Sequence, residues 1–223
     1  SDWYDATRHF FRRNMNMWVP HSAGIAWRSI VCRPIACSAK SETGQIAVMP
    51  TSNGKGCRKQ RREVQQMPNQ HREVIDHFTG PYAFLSNFQP CRVTFYGMIF
   101  SSVEAAFQAA KCANHQDRVQ FLTMTPQQAK RRGRQIQMRS DWDSRKLTIM
   151  HNLLVHKFNE NPELIPKLIA TGNAVLVEGN TWHDNFWGCC TCSRCGGRRG
   201  RNNLGRLLMQ LRADYMALYK EAQ

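Results

Sequence analysis

The chain has 223 residues, 42% of them hydrophobic and 10% aromatic, which suffices for one globular domain with an extension or for two small domains. Its formal net charge of +15 at pH 7 points towards an anionic partner such as a nucleotide, a nucleic acid or phosphate, with a solvated basic surface as the plainer reading. No apolar run approaches the roughly 18 residues of a membrane helix, so no membrane partner is expected.

The first part of the chain is unlike the rest. Residues 1–66 carry 11 Lys+Arg against 4 Asp+Glu, while residues 67–223 carry 20 against 12, so the first part is about twice as basic per residue. It shows no sustained helical or strand period, and Thr51 to Arg62 reads as a flexible basic linker. Residues 1–66 are therefore expected to be a disordered or non-native extension, with Met67 as a plausible natural start. An Arg-rich targeting segment, around Arg12, Arg13, Arg28 and Arg33, is the competing reading. Nine scattered cysteines and the lack of a secretory pattern fit a reducing, cytoplasmic setting.

Patterned sequence begins at His77. Gly80-Pro81 signals a turn, and a loop with Asn87 and Phe88 follows. Cys91–Tyr96 and Met98–Ser101, broken at Gly97, predict a small β-hairpin. Next comes Ser102-Val-Glu-Ala-Ala-Phe-Gln-Ala-Ala-Lys111, an alanine-rich helix that Ser101 and Glu104 are expected to open as a capping box. On it Glu104, Gln108 and Lys111 share one face, while Val103, Ala106, Phe107 and Ala110 face a core. Thr125-Pro-Gln-Gln128 starts a short helix ending near Gly133. Ser140 to Asp143 opens a longer one with Leu147, Met150, Leu154 and Phe158 as its stripe. Asn161-Pro162 starts a further helix that stops at Thr171-Gly172. Asn202 caps the last, whose stripe is Leu204, Leu207, Leu208, Leu211, Tyr215 and Leu218. The expected fold is a single, mainly α domain over residues 67–223 with a small β-hairpin near its N-terminal end.

Within that frame the carboxylate, amide and amine of Glu104, Gln108 and Lys111 can orient a substrate, move protons or attack a carbon. A solvated helix face is the dull alternative. Further polar and aromatic residues have no place in the core stripes: Asn87, Phe88, Arg134, Arg139, Asp141, Trp142, Glu178, Asp184 and Trp187. Each alone has a structural explanation. Together they suit a nucleotide-like ligand, with rings to stack a base, arginines for phosphate and carboxylates for a sugar or water.

The islands Phe84–Phe88, Ser102–Lys111, Ala129–Arg134, Arg139–Trp142, Met150–Phe158, Leu168–Gly172, Val177–Asn180, Asp184–Gly188 and Gly200–Met209 resemble, in order, the NADAR (YbiA-like) family over about residues 74–220. That resemblance implies a multihelical N-glycosidase acting on phosphorylated ribosides. The implied substrates are riboflavin-biosynthesis intermediates or ADP-ribosylated guanine, free or in nucleic acid. It implies catalytic roles for Glu104, Lys111 and Asp184, with Lys111 attacking the ribose anomeric carbon to form a Schiff base. Asn87, Phe88, Gln108, Arg134, Asp141, Trp142, Glu178, Trp187, Gly188 and Asn202 would bind substrate. No cofactor is required for that chemistry. A non-catalytic ADP-ribose reader and a basic nucleic-acid-binding protein are the alternatives.

One segment departs from the family pattern. After Gly188 the chain reads Cys189-Cys-Thr-Cys-Ser-Arg-Cys195, in which Cys189, Cys192 and Cys195 have the two-residue gaps of half a zinc knuckle. Free thiols in a basic loop and a structural zinc, with Cys190, His183 or Cys112 as fourth ligand, are both open.

Overall fold

The computed structural model describes residues 72–196 and 200–221; the expected extension, residues 1–66, lies outside them. At the centre of the described residues is α1, Val103–Ala110. Its alanines are small enough for neighbouring elements to approach on every side, and all eight of its residues are buried, Glu104 and Gln108 included. The expected division into an apolar face and an open polar face is thus replaced by a helix enclosed all round. Its cap also differs. Ser102, not Ser101, is the N-cap, and its hydroxyl accepts from Ala105 N at 3.1 Å. Glu104 is thereby left out of any capping box and turns to Gln108 instead.

The hairpin pairs β2, Val93–Phe95, with β3, Met98–Phe100, in antiparallel register Val93 to Phe100. Tyr96 and Gly97 both adopt positive φ, 50° and 73°, the signature of a two-residue turn that matches strand twist. Tyr96 is held in this uncommon conformation by its ring contacts, with the Arg118 guanidinium 4.4 Å from the ring centroid. The hairpin is fastened to the long helix α4, Trp142–Glu160. Glu160 accepts from Thr94 N and Oγ1, both at 2.9 Å, and the Asn161 side chain bridges both backbone groups of Arg92.

Between α1 and α4 lie two short helices, α2 at His115–Val119 and α3 at Pro126–Arg132. The helix start expected at Thr125 is present and is closed by a capping box: Thr125 Oγ1 accepts from Gln128 N, and Gln128 Oε1 accepts from Thr125 N at 2.8 Å. Helix α4 starts from Asp141, which makes no side-chain cap bond, and buries Met150, Leu154 and Phe158 while Leu147 stays exposed. Helix α5, Leu164–Ala170, ends at Thr171 with Gly172 at φ 54°, as its stop signal required. The last helix, α6, spans Asn203–Glu221 and buries Leu204, Leu208, Leu211 and Tyr215; Arg212 caps α5 through Thr171 and Ala174 oxygens.

Two pairings were not foreseen. β1, Val74–Ile75, runs parallel to β4, Val175–Leu176, and β5, Gly179–Asn180, runs parallel to β6, Cys189–Cys190. Strands of two residues carry too little pattern to be read. Their effect is local but decisive, because β5 and β6 bracket the loop that carries Asp184 and Trp187. The architecture is mainly α, with six helices among the described residues, none long and apolar enough to cross a membrane.

Candidate active site

Helix α1 sets the geometry. Gln108 Nε2 donates to Glu104 Oε1 at 2.8 Å, one turn away, so the carboxylate is held from within its own helix. Burial pushes the Glu104 pKa up; the Gln108 hydrogen bond and the Lys130 and Lys111 charges oppose it. Lys111 is the C-terminal cap residue of the same helix, and burial pushes its pKa down against the pull of Glu104. Arg134, itself exposed, adds like-charge repulsion in the same downward direction. Acid and amine are therefore biased in opposite senses: towards a protonated Glu104 and a neutral Lys111.

Aromatic rings wall this pair. The Lys111 ammonium lies 5.8 Å from the centroids of both Phe107 and Trp142. Phe107 packs edge-on against Trp187 at 5.3 Å, and Trp187 against Phe186 at 5.0 Å. Phe107, expected to be plain core, is thus the hinge of an aromatic cluster around the amine. Asn87 O accepts from Glu104 N at 3.0 Å, which docks the Asn87–Phe88 loop onto the first turn of α1. The Asn87 amide donates weakly to Met150 Sδ at 3.5 Å, and its buried Oδ1 has no hydrogen-bond partner. An orphaned acceptor at this depth is costly unless a ligand donor completes it.

Asp184 and Glu178 approach from the β5–β6 side. One Asp184 oxygen accepts from Phe186 N and Trp187 N, at 3.1 and 2.8 Å, so the acid sets the turn that presents Trp187. Asn180 brackets Asp184 by donating to its carbonyl and accepting from its N–H. Glu178 is half-buried, and desolvation followed by the Asp184 charge pushes its pKa up to about 7. The Asp184 charge pushes both Glu104 and Glu178 up, Glu104 adds to the push on Glu178, and the Lys130 charge opposes both shifts.

Three of the expected binding residues have structural partners. Asp141 is engaged by the guanidinium groups of Arg139 and Arg145. Asn202 does not act through its side chain as a simple cap: at φ 49° its amide donates to Leu176 O and accepts from Glu178 N, tying α6 to the strand before Glu178. Gly188 lies so close to Glu178 that an added Cβ would meet the Glu178 carbonyl at 2.0 Å. Two open clefts, of about 460 and 410 Å³, lie beside α3 and between Tyr82 and α5, and neither is lined by these side chains.

Two lysines were missed. Lys130 places its ammonium 5.2 Å from the Phe88 ring centroid and 5.1 Å from that of Trp182, but in sequence it is one of several neighbouring cations. Lys157 is completely buried, donates to Ser86 O at 2.8 Å, and has its pKa lowered to about 8 by burial. Its signal was legible: it stands three residues beyond Leu154, on the apolar stripe of α4.

The cysteine loop also differs from expectation. His183, Cys190, Cys192 and Cys195 offer ligand atoms that all lie within 4.8 Å of one another, a group that can hold a metal ion. Cys189 is outside it, with its Sγ near Gly200 O at 3.7 Å, because adjacent residues of a strand point to opposite sides. The expected set Cys189, Cys192 and Cys195 is corrected accordingly.

The NADAR domain matches residues 75–216. The chain is 33% identical over 140 residues to N-glycosidase Npun_R5314 of Nostoc punctiforme, covering 60% of this chain and 86% of that protein. It is 34% identical over 182 residues to the chloroplastic riboflavin biosynthesis protein PYRR of Zea mays, covering 69% of this chain but only 28% of the maize protein. The NMR structure of Escherichia coli YbiA superposes with a TM-score of 0.57 at 30% identity, over 69% of this chain and 94% of YbiA.

Proposed function

The chain belongs to the NADAR family, and on that premise we propose that it is an N-glycosidase whose substrate is a phosphorylated riboside. One observation carries the reading. Glu104 and Lys111 stand on one buried helix, coupled to each other, with the amine among aromatic rings and the two ionisations biased in opposite directions. A neutral amine has the lone pair that a nucleophile needs, and a protonated carboxyl can deliver a proton to a leaving base.

In the proposed sequence Lys111 Nζ bonds to the ribose anomeric carbon as the bond to the base nitrogen breaks. The base leaves with that electron pair and takes the Glu104 proton. Glu104, now a carboxylate, removes a proton from the new ammonium, and the sugar ring opens to an imine as the proton passes to the ring oxygen. Water adds to the imine carbon, the carbon–nitrogen bond to Lys111 breaks, and the sugar departs with amine and acid restored. Trp142, Trp187 and Phe88 offer faces for the base. Arg134 and Lys130 supply cations for phosphate. Asp184 assists at the base or sugar, and no cofactor is needed.

A riboflavin-pathway phosphoribosyl intermediate is the first substrate class, in keeping with the relatives. ADP-ribosylated guanine, free or in nucleic acid, is the second, and the net charge of +15 favours it. The test incubates the full chain with each substrate, follows released sugar by mass spectrometry and adds borohydride to trap the imine. Sugar release and a reduced adduct on Lys111 are expected, and Lys111→Ala should lower turnover by about 10²–10⁴-fold. Release without an adduct removes the covalent lysine. Binding of ADP-ribose without any release replaces the enzyme by a reader.

A further inference from the structure

We propose that His183, Cys190, Cys192 and Cys195 bind one zinc ion, and that this ion fixes the loop presenting Asp184 and Trp187. The four residues supply one imidazole and three thiolates, a ligand set typical of closed structural zinc sites. Their spacing fits. With bonds of about 2.0–2.3 Å, tetrahedral ligands stand roughly 3.5–3.8 Å apart. His183 Nδ1 lies 3.0 Å from Cys192 Sγ and 3.5 Å from Cys195 Sγ, and all four ligand atoms lie within 4.8 Å of one another, so side-chain shifts of about 1 Å bring them to tetrahedral spacing.

The surroundings are also those of thiolate ligands. His183 N–H donates to Cys190 Sγ and Asn185 Nδ2 donates to Cys195 Sγ, each at 3.3 Å. Such N–H donors around a metal centre orient its sulfur ligands and offset their charge. His183 moreover adopts a left-handed backbone, φ 69°, which a non-glycine residue keeps only when its surroundings hold it there. Binding displaces three thiol protons to solvent, leaving Zn²⁺ with three thiolates and a neutral imidazole.

What the ion would hold in place follows from the chain. His183 directly precedes Asp184. Asn185, which touches Cys195, also accepts from Cys190 N at 2.9 Å and receives Arg201 N on its carbonyl. Asn180, paired with the Cys190 strand, grips both backbone groups of Asp184. A metal at the four ligands thus closes a ring around the Asp184 turn. Cys189, one residue out of phase, has no part in it.

The test uses the full chain, reduced and purified without chelator. Elemental analysis should find about one zinc per chain, and Co²⁺ added to the stripped protein should give the charge-transfer and d–d absorption of a tetrahedral thiolate site. Cys192→Ser with Cys195→Ser should abolish both, and Cys189→Ser should change neither. Absence of zinc and of the cobalt spectrum in the unmutated protein overturns the site. Loss of metal on Cys189→Ser overturns the ligand set. Hydrogen exchange before and after chelation tests the second half: exchange should rise at residues 180–192 with α1 and α4 unchanged, and no rise there overturns the fixing role. None of these readouts requires glycosidase turnover, so the metal site and the catalytic proposal fail separately.

Discussion

Glu178 shows how much the site charges against its own stability. Its carboxyl titrates near 7 in the folded chain but near 4.5 when unfolded, because burial and Asp184 disfavour the anion. Between those values the folded state binds more protons than the unfolded one. The favourable contribution is thus complete below about pH 4.5 and is lost as pH rises through about 7. Glu178→Gln, which is neutral at all pH, should leave the melting temperature almost unchanged at pH 5. At pH 8 it should raise it by a few degrees, equivalent to about 1–2 kcal/mol after allowance for solvent screening. An equal shift at both pH values would show that packing, not charge, is responsible. Catalysis should move the other way, with kcat/KM falling if Glu178 serves the reaction. Little of this was legible in sequence, since an acid after an apolar run looks like any strand end. Glu104 and Lys111 were legible because helical spacing put them on one face. Neither the Lys130 cation nor the Asn87 oxygen without a partner could be read without the tertiary contacts.

Among the elements, the close approach of α3 to α1 has the sharpest consequence. Gly133, just past α3, has an ordinary helical φ of −63°, so its backbone does not need glycine. The reason is steric: a Cβ there would stand 1.9 Å from Gln108 Oε1. Gln108 in turn positions Glu104. Gly133→Ala should therefore displace the amide, release Glu104 and lower kcat by about tenfold or more, with a stability cost of about 1–3 kcal/mol from overpacking. Gln108→Ala in the same background should recover stability but not rate; recovery of rate would mean that Gln108 has no positioning role. Helices and hairpin were readable because caps, stop glycines and apolar stripes act locally, as at Thr125, Gly172 and Tyr96-Gly97. The cap of α1 was misplaced by one residue, since Ser101 and Ser102 both qualify and only packing decides. The strands β1, β4, β5 and β6 were not readable, because two residues define no period. Nor was the ligand set at Cys190, which depends on which side of β6 each cysteine faces.

For the whole molecule, charge bears on the choice between the two substrate classes. A small phosphorylated riboside presents one or two phosphates, so cations near Lys111, such as Arg134 and Lys130, account for its attraction. Turnover on it should keep its kcat while kcat/KM falls only a few-fold between about 50 and 200 mM salt. A guanine carried in nucleic acid presents many phosphates, and each one neutralised steepens the dependence. Four contacts alone predict a loss of about 10²-fold over the same range. The 11 Lys+Arg of residues 1–66 sharpen the comparison. Deleting those residues should leave small-substrate kcat/KM within about twofold, since no residue of the proposed chemistry lies there. If the polymer is the substrate and the extension helps to hold it, the same deletion should flatten the salt slope on nucleic acid alone. A slope that is shallow on both substrates, with and without residues 1–66, would assign the basic charge to the protein surface and leave the small riboside as the substrate.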